Sequence, residues 1–245
     1  MFSRAGFDVR LWDPVAAAIP AALDFISARL PELQAAGLVQ EAPETIMPRI
    51  RPAATLEEAV ASADYVQENG PERVEAKIPL FARLDAAARP DAILASSTSG
   101  IPASAFTENL PGRARCLVAH PVNPPYLIPL VEICPAPWTT PAAVARTREI
   151  MEKAGQVPAT INHEMDGFAL NRLQGALLAE AFRMIDDGAI SPEDLDALVK
   201  HGLGLRWSFM GPLETIDLNA RIAGRTASLQ SNPNICIIMA RPAPL

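Results

Sequence analysis

The chain has 245 residues, 49% of them hydrophobic and 20% charged, with a formal net charge of −7. That length supports one or two well-filled cores, and the acidic excess argues against a nucleic acid or an anionic membrane as partner. Three cysteines, Cys116, Cys134 and Cys236, show no Cys-x-x-Cys spacing and read as reduced thiols of a cytoplasmic chain, not as a disulfide frame or a metal site. No run of about 18 apolar residues offers a membrane span, and the opening Met1-Phe2-Ser3-Arg4 has no signal-peptide core.

Residues 7–13 alternate apolar and polar and end in Asp13, which reads as a strand with an acid at its tip. Residues 15–39 are rich in Ala and Leu and predict a helix, with Pro20 and Pro31 as kinks or boundaries. Thr55 followed by Glu58 fits a capping box that opens a short helix to about Ala63. Residues 64–67 read as a strand, and 72–88 as a helix that carries an unusual internal Pro79. Residues 91–97 and 115–119 are short apolar runs bounded by turn residues, the pattern of buried strands. A stiff loop with four prolines follows at 121–129. Thr140-Pro141 opens a helix closed near Gly155, and residues 157–161 form a last strand. From about 162 the pattern is helical. Asp166 is placed to cap a long helix that stops at Gly188, and Ser191-Pro192 opens another that stops at Gly202.

Ser99 and His120 stand at the carboxyl ends of two of these apolar runs, and Glu132 lies inside a third, 130–133. Open α/β sheets bind ligands just beyond the carboxyl ends of their strands. An imidazole there can take a proton from a hydroxyl, a carboxylate can hold its other nitrogen, and a serine can donate to the same substrate oxygen. The alternative is a buried, satisfied histidine beside a solvated glutamate. Asn123 either bonds substrate or ties a turn. Asn171 shares a helix face with Phe168, Gly175 and Leu178, so it either faces a cleft or bonds local backbone. Asp13 either initiates a turn with Pro14 or accepts hydrogen bonds from an adenosine ribose, which would favour NAD over NADP. His163 and His201 fall in no such pattern.

Two stretches resemble the 3-hydroxyacyl-CoA dehydrogenase family. One runs from Ser96-Ser97-Thr98-Ser99 through His120-Pro121-Val122-Asn123-Pro124 to Glu132; the other is Asp166-Gly167-Phe168-Ala169-Leu170-Asn171-Arg172. The nearest resemblance within the family is to the lambda-crystallin and L-gulonate 3-dehydrogenase branch. The resemblance implies that Ser99, His120, Glu132 and Asn171 are catalytic and that Ser99, Asn123 and Asn171 touch substrate. It also implies that Asp13, Glu72 and Lys77 bind NAD. The reaction implied is oxidation of the 3-hydroxyl of an L-3-hydroxy acid or of a 3-hydroxyacyl-CoA, in a homodimer when full length.

The sequence departs from that pattern at both ends. Only twelve residues precede Asp13, with one glycine among them, and no Gly-x-Gly-x-x-Gly stands there. The single Gly-x-Gly, Gly202-Leu203-Gly204, lies after a helix and is rejected as a phosphate loop. The expectation is therefore a Rossmann-type α/β domain over 1–161 without its first strand and Gly-rich loop, a partial all-helical domain over 162–220, and a divergent tail over 221–245. The rival reading is a non-catalytic remnant of such a dehydrogenase.

Overall fold

The computed structural model describes residues 1–15 and 17–222. The elements are β1 (Val9–Leu11), α1 (Ala18–Ala35), α2 (Pro43–Ile46), β2 (Ile50–Pro52), α3 (Leu56–Val60), β3 (Tyr65–Glu68), α4 (Val74–Ala87), β4 (Ile93–Ser96) and α5 (Ser104–Thr107). They continue with β5 (Cys116–Pro121), β6 (Leu130–Pro135), α6 (Pro141–Lys153), β7 (Val157–Thr160), α7 (Phe168–Asp186), α8 (Pro192–Leu198), α9 (Gly204–Trp207) and α10 (Pro212–Ile222). Among the described residues no helix is long and apolar enough to cross a membrane.

Strands and helices alternate up to β5, the order that builds a Rossmann-type fold, and β6 follows β5 with no helix between them. Five strands form one sheet in the order β3-β4-β5-β6-β7, all neighbours parallel except the antiparallel pair β5 and β6. β1 and β2 pair in parallel as a separate ribbon. β2 and α2 have no counterpart in the expectations above. The central strands are buried along their whole length: every residue of β4 is buried, as are Cys116 to His120 of β5. This explains why they read as continuous apolar runs, since a parallel sheet is covered on both faces.

Two apolar clusters lie against this sheet. One joins Leu56, Val60, Phe81, Leu84, Leu94, Phe106, Val118, Cys134 and Phe168. The other joins Ile93, Leu117, Ala119, Val131, Ile133, Ala143 and Met151. Adjacent strand residues fall into different clusters, as the period of two requires.

Several caps form where the sequence placed them. Thr55 Oγ1 accepts the amide of Glu58, and Glu58 Oε2 reaches the amide of Ala54 at 2.8 Å. Thr140 accepts from Ala143, and Ser191 from Asp194. Gly188 ends α7 in the left-handed region at φ 68°. Two expectations change. Asp166 does not cap α7: the amides of Ala169 and Leu170 in its first turn go to Glu132 instead. Gly202 does not stop a helix, because α8 runs on through a π-helical turn, Val199–Leu203, into α9.

The chain divides into two compact units, Met1–Gln174 and Gly175–Leu245. In the second, Leu178, Phe182, Leu198, Leu205, Phe209 and Leu213 are exposed apolar side chains. The tail 223–245, with Cys236, lies outside the described residues.

Candidate active site

β5 and β6 are joined by the proline-rich loop and pair so that His120 and Glu132 are direct cross-strand partners. Partners in an antiparallel pair hold their Cβ atoms about 5 Å apart on one face, so the two side chains meet. His120 Nδ1 lies 3.0 Å from Glu132 Oε2, and both residues are buried, at 7% and 2% exposure. An ionised carboxylate only accepts, so it draws the neutral ring's proton onto Nδ1 and leaves the Nε2 lone pair free to take another.

The other oxygen of Glu132 is also committed. Oε1 accepts the amides of Ala169 at 3.0 Å and Leu170 at 2.8 Å. These are among the N–H groups that a helix start leaves unpaired and that carry the positive end of its dipole. The carboxylate therefore ties the histidine to the first turn of α7.

That same turn holds Asn171, whose Nδ2 donates to the backbone oxygen of Ser99 at 2.7 Å. Ser99 lies just beyond β4, and its amide donates to Glu72 Oε1 at 3.0 Å. The same oxygen accepts the Thr98 hydroxyl at 2.6 Å and the Gly100 amide at 3.2 Å. The Ser99 backbone is thus held from both sides, while its side chain, exposed to solvent, makes no hydrogen bond among the described residues.

Phe168 completes the cluster. Its ring is fully buried and lies 5.7 Å from the His120 ring, centroid to centroid. Its backbone has φ 52°, directly after Gly167 at φ 72°. Positive φ at a bulky residue is strained, and such strain gathers at functional sites. The sequence reading placed Phe168 on a helix face but gave it no role. Gly167, ahead of a helix start, was the available signal.

Lys77 is buried to 1% exposure, with Nζ 3.0 and 2.8 Å from the two oxygens of Glu68. Glu68 also accepts the Ser96 hydroxyl at 2.6 Å and the Gly70 amide at 2.5 Å. Lys77 and Glu72 both make their contacts within the loops at the carboxyl ends of β3 and β4. Glu68, which the sequence reading did not single out, is the centre of that buried polar knot. Asn123 is exposed and makes no hydrogen bond among the described residues. His163 and His201 are exposed.

Asp13 follows β1 and is exposed. Its Oδ1 accepts the amide of Val15 at 2.8 Å, a local turn. It stands on the wall of a cleft of about 1620 Å³, together with Trp12, Asn69, Gly70 and Pro71. A carboxylate there with one oxygen still available fits an adenosine ribose. No Gly-x-Gly-x-x-Gly lies beside it to cradle a pyrophosphate.

A largely parallel sheet with a histidine–glutamate pair at the carboxyl end of β5, and an acid after β1 of the separate ribbon, suits a dinucleotide-dependent dehydrogenase. Comparison with known proteins makes this specific. Residues 1–165 match the NAD-binding domain of 3-hydroxyacyl-CoA dehydrogenase, and residues 167–234 match the C-terminal domain of the same enzyme. A lambda-crystallin homolog from Bos taurus is 45% identical over 222 residues, covering 90% of this chain and 69% of the relative. An L-carnitine dehydrogenase from Pseudomonas putida is 41% identical over 219 residues, covering 89% and 67%. Among solved structures, an NAD+ dependent dismutase, 5-formyl-3-hydroxy-2-methylpyridine 4-carboxylic acid 5-dehydrogenase, superposes with a TM-score of 0.83 at 28% identity. It covers all of this chain and 77% of its own. The 3-hydroxybutyryl-CoA dehydrogenase of Escherichia coli gives 0.76 at 30% identity, covering 81% of this chain and 42% of that one. The chain belongs to the 3-hydroxyacyl-CoA dehydrogenase family, NAD-dependent oxidoreductases that act on CH–OH groups.

Proposed function

We propose that the chain oxidises the 3-hydroxyl of a free L-3-hydroxy acid, a sugar acid of the L-gulonate kind, and not a CoA thioester. The observation that carries the reading is the His120–Glu132 pair, with Nδ1 engaged and Nε2 making no hydrogen bond among the described residues. His120 takes the hydroxyl proton on Nε2 as the carbon is oxidised. Glu132 supports the imidazolium that results, and such general-base assistance contributes about 10²–10⁴-fold. The Ser99 hydroxyl and Asn171 fix the substrate oxygen, and Asn123 contributes at the mouth. NAD, when bound, supplies the hydride acceptor, with Asp13 holding the ribose. Glu72 and Lys77 shape the loops beneath the nicotinamide end.

The free-acid preference is supported by the relatives above 40% identity. They include L-carnitine dehydrogenases, and carnitine is itself a free 3-hydroxy acid. We place the NAD domain over 1–161 and the helical domain over 162–220, in a cytoplasmic protein. The exposed apolar side chains of the helical unit support a homodimer.

A second reading is a non-catalytic remnant of such a dehydrogenase. One experiment separates the two. NADH is titrated against the chain with Trp12 fluorescence as reporter, and turnover is then compared for L-gulonate, L-carnitine and 3-hydroxybutyryl-CoA. Saturable binding and turnover of the free acids are expected. Faster turnover of the thioester overturns the substrate reading, and absence of both binding and turnover establishes the remnant.

A further inference from the structure

The hydroxyls of Ser96, Thr98 and Ser99 are put to different uses. Ser96 and Thr98 are buried, at 0% and 1% exposure, while Ser99 is exposed. Both buried hydroxyls donate to carboxylates: Ser96 to Glu68 Oε2 and Thr98 to Glu72 Oε1, each at 2.6 Å. A hydroxyl has a single proton, so each oxygen is then left to accept. Ser96 Oγ takes the Thr98 amide at 3.2 Å, and Thr98 Oγ1 takes the Ile101 amide at 2.9 Å. The Ser99 hydroxyl stands outside these links and points to no partner among the described residues.

Glu72 anchors this turn. It lies between β3 and α4, and its Oε1 alone accepts three donors: the Thr98 hydroxyl at 2.6 Å, the Ser99 amide at 3.0 Å and the Gly100 amide at 3.2 Å. Bonds to an ionised acceptor are roughly twice as strong as neutral ones, and three of them meeting at one atom fix three successive residues about one point. From the other side Asn171 Nδ2 donates to Ser99 O at 2.7 Å, and the Gly167 amide meets Gly100 O at 3.5 Å. The Ser99 backbone therefore cannot shift without breaking a bond to Glu72 or to Asn171. Glu72 itself is exposed and belongs to none of the apolar clusters, so its removal leaves the core intact.

We propose that Glu72 is a positioning residue of the reaction, acting on the substrate oxygen through Ser99. By holding residues 98–100 it aims the Ser99 hydroxyl at that oxygen. The inference rests on the reading of Ser99 as a donor to the substrate oxygen. It separates Glu72 from a cofactor ligand by consequence: loss of a cofactor ligand shows in NADH affinity, whereas loss of a residue that aims Ser99 shows in kcat at saturating NAD.

The test is a double-mutant cycle on the full 245-residue chain, with Glu72→Ala, Ser99→Ala and the double variant. Turnover is measured at saturating NAD on whichever of L-gulonate, L-carnitine and 3-hydroxybutyryl-CoA the parent oxidises fastest. Glu72→Ala is expected to lower kcat about tenfold or more, since a misplacement of about 1 Å can cost about 10²-fold. In the Ser99→Ala background the same change is expected to cost less than about twofold, the non-additivity of two residues acting as one unit. Glu72→Gln, which keeps an acceptor oxygen, is expected to recover most of kcat. NADH affinity should stay within about threefold throughout, and residue-resolved hydrogen exchange should show the Ser99 and Gly100 amides opening about tenfold faster in Glu72→Ala. An additive cycle overturns the proposal, as does unchanged exchange at Ser99 and Gly100. A fall in NADH affinity with kcat intact at saturating NAD also overturns it and makes Glu72 a cofactor ligand. Absence of turnover by the parent on all three substrates fails the reading of Ser99 first, before any variant is compared, and the proposal falls with it.

Discussion

Glu132 divides its carboxylate between His120 and a helix: one oxygen meets the imidazole at 3.0 Å, and the other takes two amides of the first turn of α7. Removing the histidine and removing the glutamate should therefore fail differently. His120→Gln keeps a donor for Glu132 and leaves the helix start untouched. Turnover should fall by about 10²–10⁴-fold, with the melting temperature and NADH affinity little changed. Turnover retained within threefold would show that His120 is not the base.

Glu132→Ala should cost stability as well as turnover. It orphans the buried His120 Nδ1–H, at a cost of about 1–3 kcal/mol, and leaves two part-buried helix N–H groups without their acceptor, at a smaller cost. Urea denaturation of the two variants side by side checks this. Equal stability of both would mean that the bonds from Ala169 and Leu170 to Glu132 contribute nothing net.

Lys77 and Glu68 are nearly inaccessible, with side-chain exposures of 1% and 3%. Cutting one partner from such a buried pair costs about 3–5 kcal/mol, because the other charge is left unpaired. Lys77→Met should destabilise the chain by that amount, and adding Glu68→Gln should recover part of the loss. The discriminating measurement is NADH affinity in whatever Lys77→Met protein remains folded at low temperature. A large loss of affinity without loss of stability would make Lys77 a direct cofactor ligand, not a support beneath the site.

The sequence made the central strands β4, β5 and β6 legible because they are buried on both faces and bounded by Pro, Gly and polar residues. It also placed the helix caps at Thr55, Thr140 and Ser191, whose chemistry is local. What it could not supply was register. Nothing within residues 121–129 says that His120 will face Glu132 directly; that depends on where the loop closes and on the antiparallel turn of β6. The long-range bonds were hidden for the same reason: Glu132 to Ala169 spans 37 residues and Asn171 to Ser99 spans 72. Asp166 looked like a cap because the rules for caps are local, and a buried carboxylate from another strand took the role. Gly202 looked like a stop because glycine commonly is one, yet it sits inside a π turn.

Cys116 and Cys134 are fully buried. Burial, the largest cause, pushes the Cys116 thiol up to about 12 and the Cys134 thiol up to about 11, from an ordinary 9. The thiolate is the reactive form, so neither should react with iodoacetamide in the native chain at pH 8, and both should react in denaturant. The sign of the stability effect follows. These are acids held neutral by folding, so their contribution is complete below pH 9 and is lost as rising pH ionises them in the unfolded chain alone, between pH 9 and about 11 to 12. Peptide mapping after labelling checks the first point. Modification of Cys116 at the rate of a free thiol would mean that the β4–β5 region opens readily.

Gly167 and Phe168 enter α7 through two successive left-handed residues, at φ 72° and 52°. A side chain added at residue 167 meets nothing closer than the Asn171 Cβ at 4.0 Å, so Gly167→Ala tests backbone strain without a steric clash. The left-handed conformation costs an alanine about 1–2 kcal/mol, and that is the expected loss of stability. Phe168→Ala keeps the backbone demand but empties a fully buried ring site beside His120, at a cost of about 3–5 kcal/mol. The two should also differ in catalysis. Gly167→Ala shifts the turn that carries both Asn171 and the amides held by Glu132, so kcat should fall by more than the stability loss implies. Conversely, Phe168→Leu should retain much of kcat, because it fills most of the volume and leaves that turn in place. If Gly167→Ala proves as stable and as active as the parent, the left-handed entry is a tolerated turn and the strain has no part in positioning the site.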